Sequence, residues 1–252
     1  MRRLLLLSLA LLGAGAPRAF AQSGLRLLWD QCLADGGVTQ TLFDCTKNAG
    51  AAALNASVII PADMPQFAAA RVIIDVHVAD GTIPPWWQVA AGQCRENRLT
   101  ASYDPTGFPW SEHCPAIWGE VAPLQIQTIQ PEISGPGMFR AISAAALPAG
   151  SERSLVADGT ELTVCRVVVL HAKTVGQGAC DGCRVGACFW LKEIYLEQLA
   201  GLPSQRITDA RRNAIVGHNA VWDYSIEFQS SGLTCTTPAL NRTWGAIKTL
   251  YR

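Results

Sequence analysis

The sequence predicts an all-β protein: a single antiparallel β-sandwich, jelly-roll-like, of about eight or nine strands, with short helical turns and a C-terminal extension. Three observations predict it. Several runs of strand length alternate apolar and polar residues, which places positions i and i+2 on one face. Clusters of Gly, Pro, Asn and Asp separate those runs. Apolar spacing of helical period is confined to two short stretches.

Taken along the chain, Asn55 to Ile60 is the first candidate strand. Arg71 to Ala79 follows, with Val72, Ile74, Val76 and Val78 on one face and Asp75 and His77 on the other. Leu124 to Ile129 and Met138 to Leu147 come next. Ser154 to Ala157 and a longer run, Glu161 to Ala172, flank Asp158-Gly159, a two-residue hairpin signal. That longer run is the more apolar, which suits a central strand. Phe189 to Leu199 and the evenly alternating Trp222 to Gln229 complete the strands. Ser204 to Ile215 and Trp244 to Leu250 carry spacing for one or two helical turns. With no internal repeat and no low-complexity linker, residues 22–229 read as one domain. Residues 230–252 read as an extension beginning at Ser230-Ser231-Gly232.

The N-terminus has the composition of a secretory signal peptide. Arg2 and Arg3 precede an apolar run from Leu4 to Gly15, and Ala19-Phe20-Ala21 supplies an A-x-A site. Cleavage after Ala21 would export the chain with Gln22 first. The apolar run is shorter than the roughly 20 residues a spanning helix needs. The expected location is therefore extracellular or periplasmic, with no membrane span. Charged residues are only 16% and the formal net charge is zero, so a nucleic-acid partner has no electrostatic support.

Nine cysteines in an exported chain read first as a disulfide framework. Closeness along the chain favours Cys32–Cys45 and Cys94–Cys114. In the Gly-rich loop from Lys173 to Cys188, the spacing Cys180-x2-Cys183-x4-Cys188 suggests Cys180–Cys188 or Cys183–Cys188, with the remaining cysteine joined to Cys235. Cys165, inside an apolar strand, is the expected free thiol. The other readings of the loop are a zinc site completed by His171 or Cys235, which the oxidising compartment disfavours, and a redox C-x-x-C, which the neighbouring strands disfavour. No metal ligand and no cofactor are assigned.

Ile83-Pro84-Pro85-Trp86-Trp87 sets two indoles on a proline-stiffened segment, and Trp110 and Trp118 flank Cys114. Exposed indoles bind sugar faces well, so Trp86, Trp87, Trp110 and Trp118 are the candidate ligand-binding residues, with core packing as the competing reading. Asp75 and His77 share a strand face and read either as an acid–base or metal pair, or as the solvated face of an edge strand. No G-x-S-x-G, H-E-x-x-H or phosphate-loop motif is present, so no catalytic residue is assigned.

Several stretches resemble a group of uncharacterised exported proteins of environmental bacteria. They are Leu27-Leu28-Trp29 with Cys32, Phe43-Asp44-Cys45, Asn48-Ala49-Gly50, Pro84-Pro85-Trp86-Trp87, Cys94-Arg95, the loop His171 to Gly176 with its three cysteines, and the closing Thr243-Trp244-Gly245 to Leu250-Tyr251-Arg252. The resemblance implies export and a shared β fold and supplies no catalytic residue. The expectation is a secreted, disulfide-braced, non-enzymatic module that binds an extracellular ligand such as a glycan or serves adhesion or envelope structure. A secreted hydrolase or lyase with a loop-assembled site and a zinc-stabilised module are the alternatives.

Overall fold

A computed structural model of the chain describes residues 24–79, 81–105, 113–132, 135–208 and 215–218. The expected signal peptide, Trp110, the run Trp222 to Gln229, Cys235 and the extension 230–252 lie outside the described residues. The chain forms an all-β sandwich. Its smaller sheet has four strands in the spatial order β1 (Gly24–Trp29), β3 (Ala51–Ile59), β9 (Leu162–Leu170), β5 (Leu99–Ser102). The larger runs β2 (Gln40–Thr41), β12 (Ile215–His218), β10 (Ala187–Gln198), β4 (Met64–Val78), β7 (Met138–Ala146), β6 (Leu124–Pro131). β8 (Arg153–Leu155) adds to β4, and β11 (Gln205–Ile207) to β10. The pairings are antiparallel apart from β2 with β12. Twelve strands therefore stand among the described residues where about eight or nine were expected. β8 overlaps the expected run Ser154 to Ala157; the strands not expected are β1, β5 and β12, of four to six residues, and β2 and β11, whose two or three residues are too few for an alternating pattern to register.

Two local expectations are corrected. Gln205–Ile207, expected to open a helical turn, pairs instead with Ile194 to Leu196 of β10, because an open sheet edge outweighs a weak local pattern. Asp158-Gly159 does not close a hairpin. β8 pairs with β4 in the larger sheet while β9 lies between β3 and β5 in the smaller, so this turn carries the chain from one sheet to the other. The Asp158 carboxylate accepts the Thr160 N–H at 2.9 Å, a turn of Asx type.

The inner faces form one core. Val72, Ile74, Val76 and Val78 of β4 all point inward, as their alternation requires, and meet Leu25, Leu27, Leu54, Val58, Val167 and Val169 of the smaller sheet. One side of the sandwich is closed by side chains. β5 is a sheet edge whose backbone would otherwise face outward unpaired. Gln127 of β6 accepts from the Ala101 N–H at 2.6 Å and donates to the Leu99 carbonyl at 2.9 Å. Gln125 accepts from the Tyr103 N–H at 3.1 Å. The opposite side is closed by the buried Trp29, whose indole N–H donates to the Gly217 carbonyl at 2.9 Å.

The disulfide pairing differs from the expected one. Cys32 bonds Cys114, Cys45 bonds Cys183 and Cys94 bonds Cys180, across 82, 138 and 86 residues. Sequence proximity misleads here because successive segments cross between sheets, so the near neighbours of a loop cysteine come from distant loops. Cys188 is disulfide-bonded as well, but to neither Cys180 nor Cys183, so the expected bond within the loop does not form and neither of those two is left for Cys235. Cys165 is free and buried, as expected. It lies beside Tyr103, whose hydroxyl donates to Ser143 at 2.6 Å, and burial pushes its thiol up to about 12.

Non-reducing peptide mapping is expected to recover the linked pairs Cys32–Cys114, Cys45–Cys183 and Cys94–Cys180, with Cys165 alkylated only after unfolding; a Cys32–Cys45 or Cys94–Cys114 peptide would contradict the topology. Converting Cys94 and Cys180 together to Ser is expected to cost about 4 kcal/mol in denaturant unfolding, the scale for releasing a loop of this length.

Candidate functional site

The tryptophans expected to bind ligand are in the core. Trp86, Trp87 and Trp118 are at most 1% exposed. Each indole N–H is satisfied inside: Trp86 by the Thr174 hydroxyl at 3.0 Å, Trp87 by the Val185 carbonyl at 3.2 Å and Trp118 by the Val164 carbonyl at 2.6 Å. Pro84 and Pro85 serve burial, starting a 3-10 turn (Pro85–Trp87) under the cysteine loop. Gly182 lies over Pro84 at a positive φ of 105°, and a Cβ there would approach the proline ring to 2.6 Å. Trp86 also carries Arg95, which is fully buried with no carboxylate. The Arg95 guanidinium lies 3.5 Å from the indole centroid and donates to the carbonyls of Trp86, Leu170 and Ala172. Burial lowers its pKa to about 10, still charged at neutral pH.

The same end of the sandwich holds an aromatic plug. Phe43 stacks on His218 with ring centroids 3.6 Å apart and also touches Trp29, Trp86, Trp87 and His171. Burial lowers the pKa of His218 to about 4, although its Nε2 pairs with the Cys183 carbonyl at 3.1 Å. Burial, and then the charge of Arg95, also hold His171 below its ordinary value. Above the plug, Cys45, Thr174, Cys180, Asp181, Gly182 and Cys183 line a hollow of about 410 Å³. Cys180, Cys183 and Cys188 are all oxidised, so the loop offers no thiolate to a zinc ion. Cys32, Cys114 and Glu161 converge within 4.8 Å elsewhere, but those two sulfurs form one disulfide.

The groups with free chemistry lie on the outer face of the larger sheet. β10 places Phe189 and Leu191 inward, then Ile194 and Leu196 inward, so the alternation slips by one residue between Leu191 and Ile194. A β-bulge between Leu191 and Glu193 absorbs the slip. Both Lys192 and Glu193 consequently face a groove of about 300 Å³, with Ile73, Arg140, Arg206 and Thr208. β4 is the sheet's interior strand here, not an edge, and Asp75 is 5% exposed. Arg140 from β7 pairs with Asp75 through two bonds, at 2.6 and 2.9 Å. Arg71 and Arg206 reach opposite oxygens of Glu193, at 2.8 and 2.7 Å. Burial alone would raise the Glu193 carboxyl, but the two arginines hold it below the usual range. Lys192 lies 3.2 Å over the Trp190 ring, with no carboxylate at ion-pair distance among the described residues. Burial lowers its pKa. The buried Trp190 indole N–H has no acceptor.

Of the residues singled out from sequence, Asp75 is buried behind Arg140, which lines the groove, and His77 on the same strand is exposed. Arg140, Trp190, Lys192, Glu193 and Arg206 were not read as site residues. The signal for two of them is the phase slip in Phe189-x-Leu191-x-x-Ile194-x-Leu196.

For His218 the expected NMR titration midpoint is about 4, from an ordinary value of 6.5; a midpoint near 6.5 would contradict the stacked, buried ring. A lowered folded pKa means that the unfolded chain takes up the proton first. This contribution to stability is thus full above pH 6.5 and falls by about 3 kcal/mol as pH drops toward 4.

No protein-family model, no curated protein and no solved structure matches the chain.

Proposed function

We propose that the protein is an exported, disulfide-braced, non-enzymatic binding module that holds an extracellular glycan in the groove on the outer face of its larger sheet. The groove carries the reading: Arg140, Lys192, Arg206 and the carboxylate of Glu193 line it together, and Asp75 and Arg71 hold two of these side chains from behind through ion pairs. Carboxylates already bonded to arginine keep lone pairs for ligand hydroxyls, and arginines keep N–H groups for ring and hydroxyl oxygens. Ile73 supplies an apolar wall for the C–H face of a sugar. Three disulfides suit an oxidising, extracellular-type compartment. No helix among the described residues is long and apolar enough to cross a membrane. The sugar seat moves from the buried tryptophans to this face.

A hydrolase reading needs two convergent titratable groups and finds Glu193 on the groove wall with Asp75 buried behind Arg140. Glu193, however, is held ionised by Arg71 and Arg206, which removes it as a proton donor near neutral pH. Binding without turnover is the better-supported activity.

The test is calorimetric titration of the protein with extracellular and envelope polysaccharides, followed by chromatography of the glycan. Arg206, with its side chain 68% exposed, can be changed to Ala without opening the core. R206A is expected to weaken binding about tenfold, roughly 1.4 kcal/mol, with Arg71 still bonded to Glu193, the cooperative unfolding transition retained and the glycan intact. Undiminished binding by R206A, or shortened glycan, would contradict the proposal.

A further inference from the structure

We infer that the glycan held in this groove is acidic, a chain of carboxylate-bearing sugars of the uronate type, with one carboxylate seated against Lys192. The inference rests on the groove being the binding site and adds the ligand's charge. Of the residues that line the groove, Arg140, Lys192 and Arg206 are cations and Glu193 is the one anion, a local excess of two positive charges; Asp75 and Arg71, paired with Arg140 and Glu193, offset each other. The protein as a whole has zero formal net charge, so the excess is a local feature and not a general basicity. The compensation is also uneven. Asp75 takes both of its contacts from Arg140, and Glu193 gives one oxygen to each of Arg71 and Arg206. Lys192 alone is left over, held by the Trp190 ring and partly desolvated, with its amine pushed down by burial.

Lys192 makes no direct ion pair; burial and Arg140 oppose its ammonium while the charge of Asp75, already bonded to Arg140, favours it, so an anion arriving at contact distance adds a pairing that the empty groove lacks. The strand's alternation turns Lys192 outward after the inward Leu191, and the bulge turns Glu193 to the same face beside it. The neighbouring carboxylates decide the rest of the ligand. A polyanion without hydroxyl donors, such as an acidic peptide, would meet the Glu193 carboxylate on the wall as repulsion, with the charge of Asp75 behind it. A sugar acid meets the Glu193 carboxylate with hydroxyl donors while its own carboxylate meets the lysine and Arg206.

The experiment is calorimetry of the intact, oxidised protein with an oligogalacturonate, its carboxyl-reduced neutral counterpart, a sulfated oligosaccharide of similar length and an oligoglutamate. The expected result is binding of the oligogalacturonate, a loss of about tenfold on carboxyl reduction and a comparable loss in Lys192→Gln. K192Q is also expected to reduce the slope of log K against log salt by about one, while Lys192→Arg retains most of the affinity. Carboxyl-reduced glycan that binds as well, still weakened by R206A, would overturn the acidic assignment and leave the groove as the binding site. Stronger binding of the sulfated chain would overturn the carboxylate. Equal binding of oligoglutamate would overturn the glycan. Binding of none of these, with a neutral glycan bound elsewhere and insensitive to R206A, would overturn both the inference and the site.

Discussion

The extra residue in β10 is the constraint on which the larger sheet depends. Without it, the alternation that buries Phe189 and Leu191 would turn Ile194 and Leu196 outward and bring polar neighbours into the core. The bulge restores the phase and puts Lys192 beside Glu193 on the outside. One local irregularity thus serves both layers, keeping a continuous apolar inner face and placing two opposite charges where a regular strand would place one. Glu193 then gathers Arg71 from the middle of the sheet and Arg206 from β11, joining the short edge strand to the body.

The rest of the molecule makes that face rigid. β4 and β10 pair along most of their length, and β7 supports the other side of β4. Inside, the Tyr103–Ser143 hydrogen bond reaches from the end of the smaller sheet to the larger. At one end, Phe43, His218, Trp86 and Trp87 fill the space between sheets, and Cys45–Cys183 and Cys94–Cys180 fix the loops that cover them. Arg95 works in that cover as a buried cation satisfied by carbonyls, stabilising loops instead of recognising a ligand. Breaking its contacts would leave a buried charge unpaired, which is costly at any site.

The sheet architecture was legible in the sequence because period-two alternation reports burial directly. Val72 to Val78 shows this, and the inward run of β9 supports its interior position. Pairing partners were not legible. The three described disulfides join segments more than 80 residues apart, and the Asp158-Gly159 turn connects sheets where a local rule expects a hairpin. The tryptophans misdirected the site for a physical reason: a large indole beside prolines is equally suited to a sugar face and to plugging the end of a sandwich, and the burial and the partners of its N–H distinguish the two. The groove was hidden because its charges come from β4, β7, β10 and β11, each unremarkable alone, and only the slip in β10 marked the place.

The most direct measurement is an amide chemical-shift map of isotopically labelled protein titrated with oligogalacturonate. The account predicts shifts at Ile73, Arg140, Lys192, Glu193, Arg206 and Thr208, with the loop from Thr174 to Val185 unmoved. Shifts centred on that loop, at the disulfide-lined hollow and the aromatic plug beneath it, would contradict a binding site on the sheet face.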